Sequence, residues 1–266
     1  MRNAILAIVA LAALARPGLA QDAQGLSADQ LAALGAASRE ARDPRAALIH
    51  FQAALAVDSM HYAANWQGAL ALIDIAQEVP ENVRSAPRDS MYALAEVYAR
   101  RAVAARPDDA DGHFALANAV GRTALTRSKK ERIRLAATIR SEALRAIELR
   151  PGHDGAYHVL GRWNAEIMRL SGLQKFFARN FLGARIFNEA SWEGATSNLE
   201  KAVELSPRRP FHRLDLATVY IDRHRYADAR AQLEEVVRLP PLDYGDEDHQ
   251  REAAALLRSI EGKSDQ

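Results

Sequence analysis

The sequence predicts an all-α protein: a tetratricopeptide-like, right-handed helical solenoid of about five imperfect helix pairs followed by a C-terminal capping helix. Three observations lead to this prediction. The chain is dominated by alanine, leucine, arginine and glutamate, and no stretch shows the sustained period-two alternation that is typical of β-strands. A helix ending that is closed by proline recurs along the chain. Two small residues, seven positions apart, precede these endings.

The first twenty residues indicate a secretory signal peptide. Arg2 gives a positive start, residues 4–15 form an apolar run, and residues 17–20 end with small side chains. The run of about twelve residues is shorter than the roughly 20 that a membrane-spanning helix needs. We therefore expect cleavage after Ala20 and a periplasmic or secreted mature chain. An uncleaved membrane anchor is the alternative.

Composition excludes several classes of protein. The chain has no cysteine, which excludes a disulfide framework and a lipid-anchored lipoprotein. It carries 35 Lys and Arg against 34 Asp and Glu, and loss of Arg2 and Arg16 with the signal peptide changes the formal charge from +1 to −1. A chain with this balance has no overall attraction to nucleic acid. We therefore expect no nucleic acid among its partners.

The first two helices are marked by their N-terminal residues. Ser27 and Gln30 form a capping box that opens the first helix, which carries Leu31 and Leu34. Pro44 lies at the start of the second helix, where its missing N–H has no cost. That helix has an apolar face of four residues at helical spacing, namely Ala47, Leu48, Phe51 and Leu55.

The proline-closed endings mark the end of the second helix in each later pair, because proline cannot continue a helix. They are AVAARP up to Pro107, AIELRP up to Pro151, AVELSP up to Pro207 and VVRLPP up to Pro241, with a weaker first copy, ALAVDS, up to Ser59. The small residues before them let two helices approach closely. These pairs are Ala47/Ala54, Ala95/Ala102 and Ala195/Ala202, with Ile139/Ala146 and Ala229/Val236 as looser versions.

The spacing of the endings shows that the repeats are imperfect. Successive endings are 48, 44, 56 and 34 residues apart, and only the last distance equals the tetratricopeptide period of about 34. Lengthened helices or inserts are expected near residues 77–90, 122–135 and 170–190. The repeat domain is predicted to span residues 21–262, with a last helix over residues 251–260 and a disordered tail at residues 263–266.

Four blocks of the sequence resemble the regulator of microtubule dynamics family. They are AANWQGALALIDIA (63–76), DGHFALANAVGR (111–122), GAYHVLGRWNAEIMRLSGL (155–173) and SWEGATSNLEKAVELSP (191–207). The resemblance runs over about residues 40–262 and implies a tetratricopeptide-like helical fold. Eukaryotic members are associated with microtubules and organelle membranes. Because this chain begins with a signal peptide, we expect an exported bacterial relative with neither role.

The concave groove is the first candidate site, because the first helix of each pair lines it in tetratricopeptide arrays. Counting back from the prolines predicts that Phe211, Leu214, Thr218 and Asp222 face the groove in the last pair. The main set of groove residues comes from two earlier helices and consists of Phe114, Asn118, Arg122, His158, Arg162 and Glu166. Asn and Arg one turn apart can hold a carboxylate through charge-assisted hydrogen bonds. We therefore predict a non-catalytic binding or scaffold protein that recognises a protein or peptide partner.

An aromatic segment at residues 170–188 is the second candidate site. It contains Phe176, Phe177, Phe181 and Phe187, interleaved with Lys175, Arg179 and Arg185. Two interpretations stay open: the rings pack the insert onto the helical stack, or they contact a lipid, a membrane surface or another hydrophobic ligand. The second interpretation gives the alternative function, an exported lipid- or hydrophobic-ligand-binding module. A purely scaffolding role without a groove ligand is a further alternative.

A basic run and the lack of catalytic motifs complete the prediction. Residues 122–140 carry seven Lys and Arg and one acid, Glu131; such a run is typical of a solvated helix face, and binding of phosphate groups or an acidic partner is the alternative. No aromatic residue interleaves it, which argues against single-stranded nucleic acid. The sequence has no G-x-S-x-G, H-E-x-x-H or phosphate-loop motif and no cysteine nucleophile. We expect no enzymatic activity, no cofactor and no metal.

Overall fold

The structure is a computed structural model that describes residues 25–171 and 185–265. The predicted signal peptide lies outside the described residues, and so do Phe176, Phe177 and Phe181.

The described residues form eleven α-helices and one short 3₁₀ helix, with no strand among them. The first ten helices make five antiparallel pairs, and the eleventh follows alone, so the all-α solenoid that the sequence predicts is confirmed. The pairs are α1 (Ala28–Glu40) with α2 (Pro44–Val57), α3 (Tyr62–Ala76) with α4 (Ala86–Ala105), α5 (Ala110–Leu125) with α6 (Lys129–Leu149), α7 (Asp154–Arg169) with α8 (Trp192–Leu205) and α9 (Pro210–Asp222) with α10 (Tyr226–Arg238), and the last helix is α11 (Asp246–Ser259).

The helix ends follow from local chemistry. Ser27 and Gln30 make the capping box at α1, with Ser27 N–H donating to Gln30 Oε1 at 2.9 Å. Asp43 caps α2 by accepting a hydrogen bond from Ala46 N–H at 2.9 Å, and Pro44 lies in the first turn. Helices α4, α6 and α8 each end two residues before a proline of the repeated ending. The endings are therefore helix stops, as predicted.

The small residues of the endings lie where the paired helices touch. Both members of the Ala47/Ala54, Ala95/Ala102 and Ala195/Ala202 pairs are fully buried. Gly161 shows how close the approach is, because a Cβ atom at this position would lie 2.6 Å from Leu199 Cγ on α8. Short side chains therefore let the helices of a pair pack closely, and polar contacts such as that of Arg213 Nη1 with Gln232 Oε1 at 2.7 Å, between α9 and α10, add to this packing.

The extra length of the irregular repeats lies mainly in long helices. Helices α4 and α6 have 20 and 21 residues, and α6 begins at Lys129, shortly after α5 ends at Leu125. The expected insert at 122–135 is therefore continuous helix apart from a short turn. The region near 77–90 is a loop and the start of α4, and the region 170–190 includes a 3₁₀ helix at Arg185–Glu189.

The solenoid curves until the loop before its last helix meets the second helix pair. The loop between α10 and α11 reaches the end of α3, where the Tyr244 hydroxyl donates a hydrogen bond to Glu78 Oε1 at 2.6 Å. At the C-terminus, in the segment predicted to be a disordered tail, the Asp265 carboxylate accepts a hydrogen bond from Ala227 N–H at 2.8 Å. None of the described helices is both long enough and apolar enough to cross a membrane. The curvature leaves an interior space that the first helices of the pairs surround.

Candidate ligand-binding cavity

A cavity of about 1280 Å³ lies inside the curve of the solenoid. The first helices of all five pairs contribute to its wall, and further wall residues come from α6, α11, the 3₁₀ helix and several loops, including the loop before α11. All six residues of the main predicted groove set line this cavity: Phe114, Asn118, Arg122, His158, Arg162 and Glu166. The structure therefore brings together in space the residues that were grouped from the repeat spacing.

The last pair departs from the predicted register. Phe211 and Leu214 line the cavity as expected, but the third wall residue of α9 is Asp215. Thr218 and Asp222 lie farther along the same face of α9 and do not line the cavity. Thr218 Oγ1 donates to the carbonyl of Leu214 at 3.0 Å, and Asp222 accepts a hydrogen bond from Arg169 Nε at 2.9 Å. Residues at i, i+3 and i+4 share one helix face, which is why Asp215 accompanies Phe211 and Leu214.

Two arginines form the polar floor of the cavity. Arg122 Nη1 donates to Glu81 Oε1 at 3.1 Å, and Arg162 Nε lies 3.5 Å from Asp215 Oδ2. Burial and the neighbouring Arg162 lower the pKa of Arg122, whereas Asp215 raises the pKa of Arg162. Both guanidinium groups remain charged at any physiological pH, because arginine starts from a pKa above 12. The floor therefore carries two cations, and each makes one ion pair with an acid among the described residues.

Asn118 lies between the arginines and the aromatic part of the wall. Its amide makes no hydrogen bond with any described residue, and it lines the cavity one helical turn before Arg122 on α5. A half-buried amide without a partner can donate to a ligand oxygen and accept from a ligand N–H. Asn118 can therefore use its full hydrogen-bonding capacity for a ligand, whereas the two arginines are already partly engaged in ion pairs.

A row of four titratable groups runs from the floor into the protein, between α7 and α9. His158 Nε2 lies 3.0 Å from Asp215 Oδ2, His158 Nδ1 lies 3.0 Å from His212 Nδ1, and His212 Nε2 lies 3.0 Å from Asp154 Oδ2. Both imidazole rings are buried, and His212 is 0% exposed. The sequence did not point to this row because its members lie far apart in the chain. The local signals are two spacings on single helix faces, Asp-x-x-x-His at residues 154 and 158 and His-x-x-Asp at residues 212 and 215.

The charges in this row have strongly shifted pKa values. Although burial opposes the effect, the hydrogen bond from His212 and the nearby Arg209 hold the pKa of Asp154 well below its usual range. Burial also opposes a low pKa at Asp215, but Arg162 and His158 outweigh it and hold that pKa far below the usual range. Burial lowers the pKa of His212 to about 4, although Asp154 accepts a hydrogen bond from it. Both carboxylates are therefore ionised at neutral pH.

Acidic side chains also line the cavity, among them Asp74 on α3 and Glu252 on α11. The nearest cation to Asp74 is Arg39, and the closest pair of atoms, Arg39 Nη2 and Asp74 Oδ2, is 3.8 Å apart. Burial and the neighbouring Asp243 outweigh Arg39 and raise the pKa of Asp74 to about 6. Asp74 is therefore a partly buried carboxylate without a close cationic partner.

An apolar wall faces the polar floor. Ile133, Ile167, Leu170 and Phe187 line it together with Trp163, whose Nε1–H donates to the carbonyl of Ala136 at 2.8 Å. Phe187 is 7% exposed and packs in the cluster that contains Trp163. Of the four phenylalanines in the aromatic segment, the described one thus packs on the helical stack and also borders the cavity. The other three lie outside the described residues.

The basic run is divided between the cavity and the surface. Arg122 belongs to the floor, and Arg132 lines the cavity from the start of α6. Arg127, Lys130 and Arg134 are exposed. Glu131 completes a capping box with Ser128, whose Oγ donates to Glu131 Oε2 at 2.6 Å. The single acid of the run therefore has a structural role at the helix start.

The family is decided by a sequence match that extends over all eleven helices. The profile of the family described as regulator of microtubule dynamics protein 1-3 matches residues 27–261. The chain belongs to this family. The match begins at the N-cap of α1 and ends two residues after α11, so the whole wall of the cavity lies within the part of the chain that the family shares.

Solved structures support the tetratricopeptide fold of this family member. TTC0263, a thermophilic TPR protein of Thermus thermophilus, is similar with 18% identity and a TM-score of 0.62, over 86% of this chain and 100% of that protein. PilF of Pseudomonas aeruginosa is similar with 15% identity and a TM-score of 0.51, over 93% and 95% of the two chains. No curated protein sequence matches. Likeness at this level of identity establishes the fold alone.

The chemistry that this family member offers is that of binding. Its cavity combines cations, an unpartnered amide and an apolar wall, which are the features of a ligand site. Among residues 25–171 and 185–265, no three or more His, Asp or Glu side chains are grouped so as to hold a metal ion. The fold is a helical repeat scaffold with a ligand-sized space at its centre.

Proposed function

We propose that this protein is a non-catalytic binding protein that takes a short anionic segment of a protein or peptide partner into the cavity. The observation that carries this proposal is the convergence of Arg122, Arg162 and Asn118 on one floor. Arginine forms strong, charge-assisted hydrogen bonds with carboxylates. An acidic side chain or the free carboxyl end of a peptide is the group that this floor suits best.

The size and closure of the cavity favour a short segment. A volume of about 1280 Å³ is slightly above the roughly 300–1,000 Å³ of typical small-molecule pockets, so it holds a few residues rather than a long helix. The contact between Tyr244 and Glu78 closes one side of the groove. A chain end enters such a space more readily than the middle of a polypeptide.

The internal partners of the arginines set the strength of binding. A ligand carboxylate has to share Arg122 with Glu81 and Arg162 with Asp215. Part of its interaction energy therefore compensates for the weakening of an existing ion pair and does not add to the binding affinity. We expect moderate affinity that weakens with ionic strength, because added salt screens charges that water can reach.

A second candidate function is the binding of a lipid or another hydrophobic ligand. It is supported by the apolar wall, where Ile133, Ile167 and Phe187 face the same space as the arginines. An amphipathic molecule with one anionic end would place its charge on the floor and its chain on this wall. The peptide proposal needs only the floor, whereas the lipid proposal needs both surfaces.

The test compares two matched peptides against one set of variants. Fluorescein-labelled hexapeptides that end in a free or an amidated carboxyl group are titrated against the wild type, R122Q, R162Q and the control R145Q, whose guanidinium pairs with Glu148 on the outside of α6. Loss of a hydrogen bond to a charged group corresponds to about 10- to 100-fold weaker binding. We expect this loss for R122Q and R162Q and none for R145Q. Equal affinity of all four proteins would exclude the floor as the site.

Native mass spectrometry of the purified protein separates the two candidates. A copurifying lipid that is retained by R145Q and lost in I133N, which makes the apolar wall polar, favours the hydrophobic ligand. Peptide binding that I133N leaves unchanged favours the peptide. Circular dichroism of I133N checks that the helices remain folded.

We also propose that the protein acts outside the cytoplasm, in the periplasm or the external medium. The support is the signal-peptide pattern of the first twenty residues. N-terminal sequencing of the protein made in its natural host is expected to start at Gln21. A mature chain that still begins at Met1 would contradict export by cleavage.

A further inference from the structure

The row formed by Asp215, His158, His212 and Asp154 contains three contacts between polar ring or carboxylate atoms, each 3.0 Å long. A contact of this length between two such atoms requires one hydrogen between them, because two lone pairs at this distance repel. Two neutral imidazoles supply one N–H each, and two ionised carboxylates supply none. Three contacts therefore need three protons, but the neutral row has only two.

Rearranging the two protons does not remove the deficit. If each Nε2 carries a proton toward its carboxylate, the two Nδ1 atoms face each other without one. If His212 instead donates from Nδ1 to His158, its Nε2 faces Asp154 unprotonated, and the pKa of Asp154 is well below its usual range. In the remaining arrangement, His158 donates from Nδ1 to His212 and His212 donates from Nε2 to Asp154, which leaves His158 Nε2 facing Asp215 without a hydrogen. One extra proton at His158 Nε2 completes the row and gives the two rings one positive charge between them. Burial opposes its uptake, because it lowers the pKa of both His158 and His212.

Every neighbour of the row bears on this proton. Asp154 and Arg162 lie on α7, Asp215 on α9, Arg122 on α5 and Arg209 in the loop before α9. The carboxylates favour the extra proton and the guanidinium groups oppose it. The ring of Phe211 packs on both imidazoles, with centroids 4.9 Å from His158 and 4.1 Å from His212. Because this packing excludes water, solvent does not screen the row, and its net charge depends on whether the extra proton is bound.

The row contacts the arginine floor at Asp215, which lines the cavity together with His158 and Asp154. Asp215 Oδ2 lies 3.0 Å from His158 Nε2 and 3.5 Å from Arg162 Nε. With the extra proton present, a cationic imidazole joins Arg162 and Arg122 in balancing the charge of Asp215. Arg162 is then more available to an external anion. Without the proton, only the two guanidinium groups balance Asp215, and an external anion has to compete with it for Arg162.

We propose that His158 and His212 form a buried proton-binding site that sets how firmly Asp215 holds Arg162, and thereby sets the affinity of the cavity for anions. The inference rests on the proposed anion-binding floor and adds its regulation. Asp215 acts as a built-in competitor for the ligand. By linkage, a proton that strengthens anion binding is itself bound more tightly when the anion is present.

The experiment uses sulfate as the probe, because sulfate keeps its double charge across the whole pH range of interest. The full chain is labelled with ¹⁵N, and the Arg162 Nε–H resonance reports sulfate binding at pH 4, where the row takes up its proton, and at pH 8. The Nδ1 and Nε2 resonances of the histidines report proton uptake without any ligand. The variants are D215N and H212Q, with H50Q as the control, since His50 lies on α2 outside the cavity wall.

We expect sulfate to bind about five- to tenfold more tightly at pH 4 than at pH 8, which is the lower range of typical coupling between sites. H50Q keeps this dependence. H212Q loses it, and D215N loses it while binding sulfate at pH 8 as tightly as the wild type does at pH 4. In the free wild type, the Nδ1 resonances of His158 and His212 move together as one proton is taken up.

Three results would overturn the proposal in distinguishable ways. Independent titration of His158 and His212 in the free protein contradicts the shared proton, and this reading needs no variant to fold. Sulfate binding that is equal at both pH values contradicts the coupling and leaves the anion floor intact. Absence of sulfate binding at every pH contradicts the floor itself and, with it, the coupling.

Discussion

Asp74 and Asp154 are both carboxylates in the wall of the cavity, and the fold affects them in opposite ways. Asp154 lies 3.0 Å from His212 Nε2 and 3.6 Å from Arg209 Nε, and its pKa is held low. Asp74 lies 3.8 Å from Arg39, and burial raises its pKa to about 6. Ionised Asp154 therefore stabilises the folded protein, whereas ionised Asp74 destabilises it.

Replacement of Asp74 by Asn is expected to stabilise the protein at alkaline pH. The folded pKa of about 6 lies above the ordinary value of 3.8, so the ionised carboxylate destabilises the fold fully above pH 6, and this cost disappears as the pH falls toward 3.8. A shift of one pKa unit corresponds to about 1.4 kcal/mol. D74N should therefore raise the free energy of unfolding by ~1–3 kcal/mol at pH 8 and by much less at pH 4. Urea titrations at both pH values measure this difference.

Replacement of Asp154 by Asn is expected to have the opposite sign. Because its folded pKa is lowered, the carboxylate contributes stability that is fully present above the unfolded value near 4 and is lost as the pH falls further. Loss of a hydrogen bond with a charged group costs about 1.5–3 kcal/mol. D154N should lose this amount at pH 7 and approach the wild type in acid. A gain of stability at pH 7 would show that the contact with His212 is unfavourable.

Helices α7 and α8 meet at Gly161, where their packing leaves no room for a larger side chain. A Cβ atom here would lie 2.6 Å from Leu199 Cγ and 3.2 Å from the carbonyl oxygen of Ala195. The backbone of α8 cannot yield as a flexible side chain does, so the pair must separate. Overpacking of this kind costs about 1–3 kcal/mol, and G161A should lower the free energy of unfolding by that amount.

The matched control is Gly121, which lies within α5 and would present its Cβ to open space. Alanine is favoured over glycine in a helix interior by about 0.8–1.0 kcal/mol, so G121A should stabilise the protein slightly. The two substitutions are chemically identical and differ only in surroundings. If both stabilise in urea titrations, the close packing of α7 on α8 is not as the structure shows.

The elements of this fold could be predicted because their signals are local. Ser27 with Gln30 specifies a helix start, and Pro107, Pro151 and Pro207 follow helix ends, so each boundary depends on neighbours in the chain. The residues of the floor could also be grouped, because Asn118 and Arg122 share a helix face. The acidic residues that pair with the arginines of the floor could not be predicted. Asp215 meets His158 only because α9 packs on α7, and residues 57 positions apart carry no local pattern.

The closure of the whole molecule is likewise outside what a repeat pattern predicts. Each pair rotates by a small angle relative to the previous one, and the curvature of a solenoid is the sum of these rotations. The irregular lengths of α4 and α6 change that sum in ways that spacing does not reveal. The contact of Tyr244 with Glu78 joins residues 166 positions apart. It shows that in this protein the accumulated rotation of the pairs closes one side of the groove.

This closing contact predicts how the molecule opens. Tyr244 is 37% exposed, and a single hydrogen bond between accessible groups contributes about 1 kcal/mol. The closed form is therefore held at this side by an interaction that thermal motion breaks often. Removing the hydroxyl in Y244F should shift the population toward an open form by about fivefold, since 1.4 kcal/mol corresponds to tenfold.

Distances between spin labels measure this shift directly, because the chain contains no cysteine that would take up a label elsewhere. Labels at R84C and E247C, two exposed positions on opposite sides of the closure, should give a short distance in the wild type and an added longer one in Y244F and E78Q. Y157F, which removes a hydroxyl from the middle of the solenoid, is the control and should leave the distance unchanged. A ligand that leaves the cavity on this side should be released faster from Y244F. Unchanged distances in both Y244F and E78Q would mean that packing elsewhere holds the ends together.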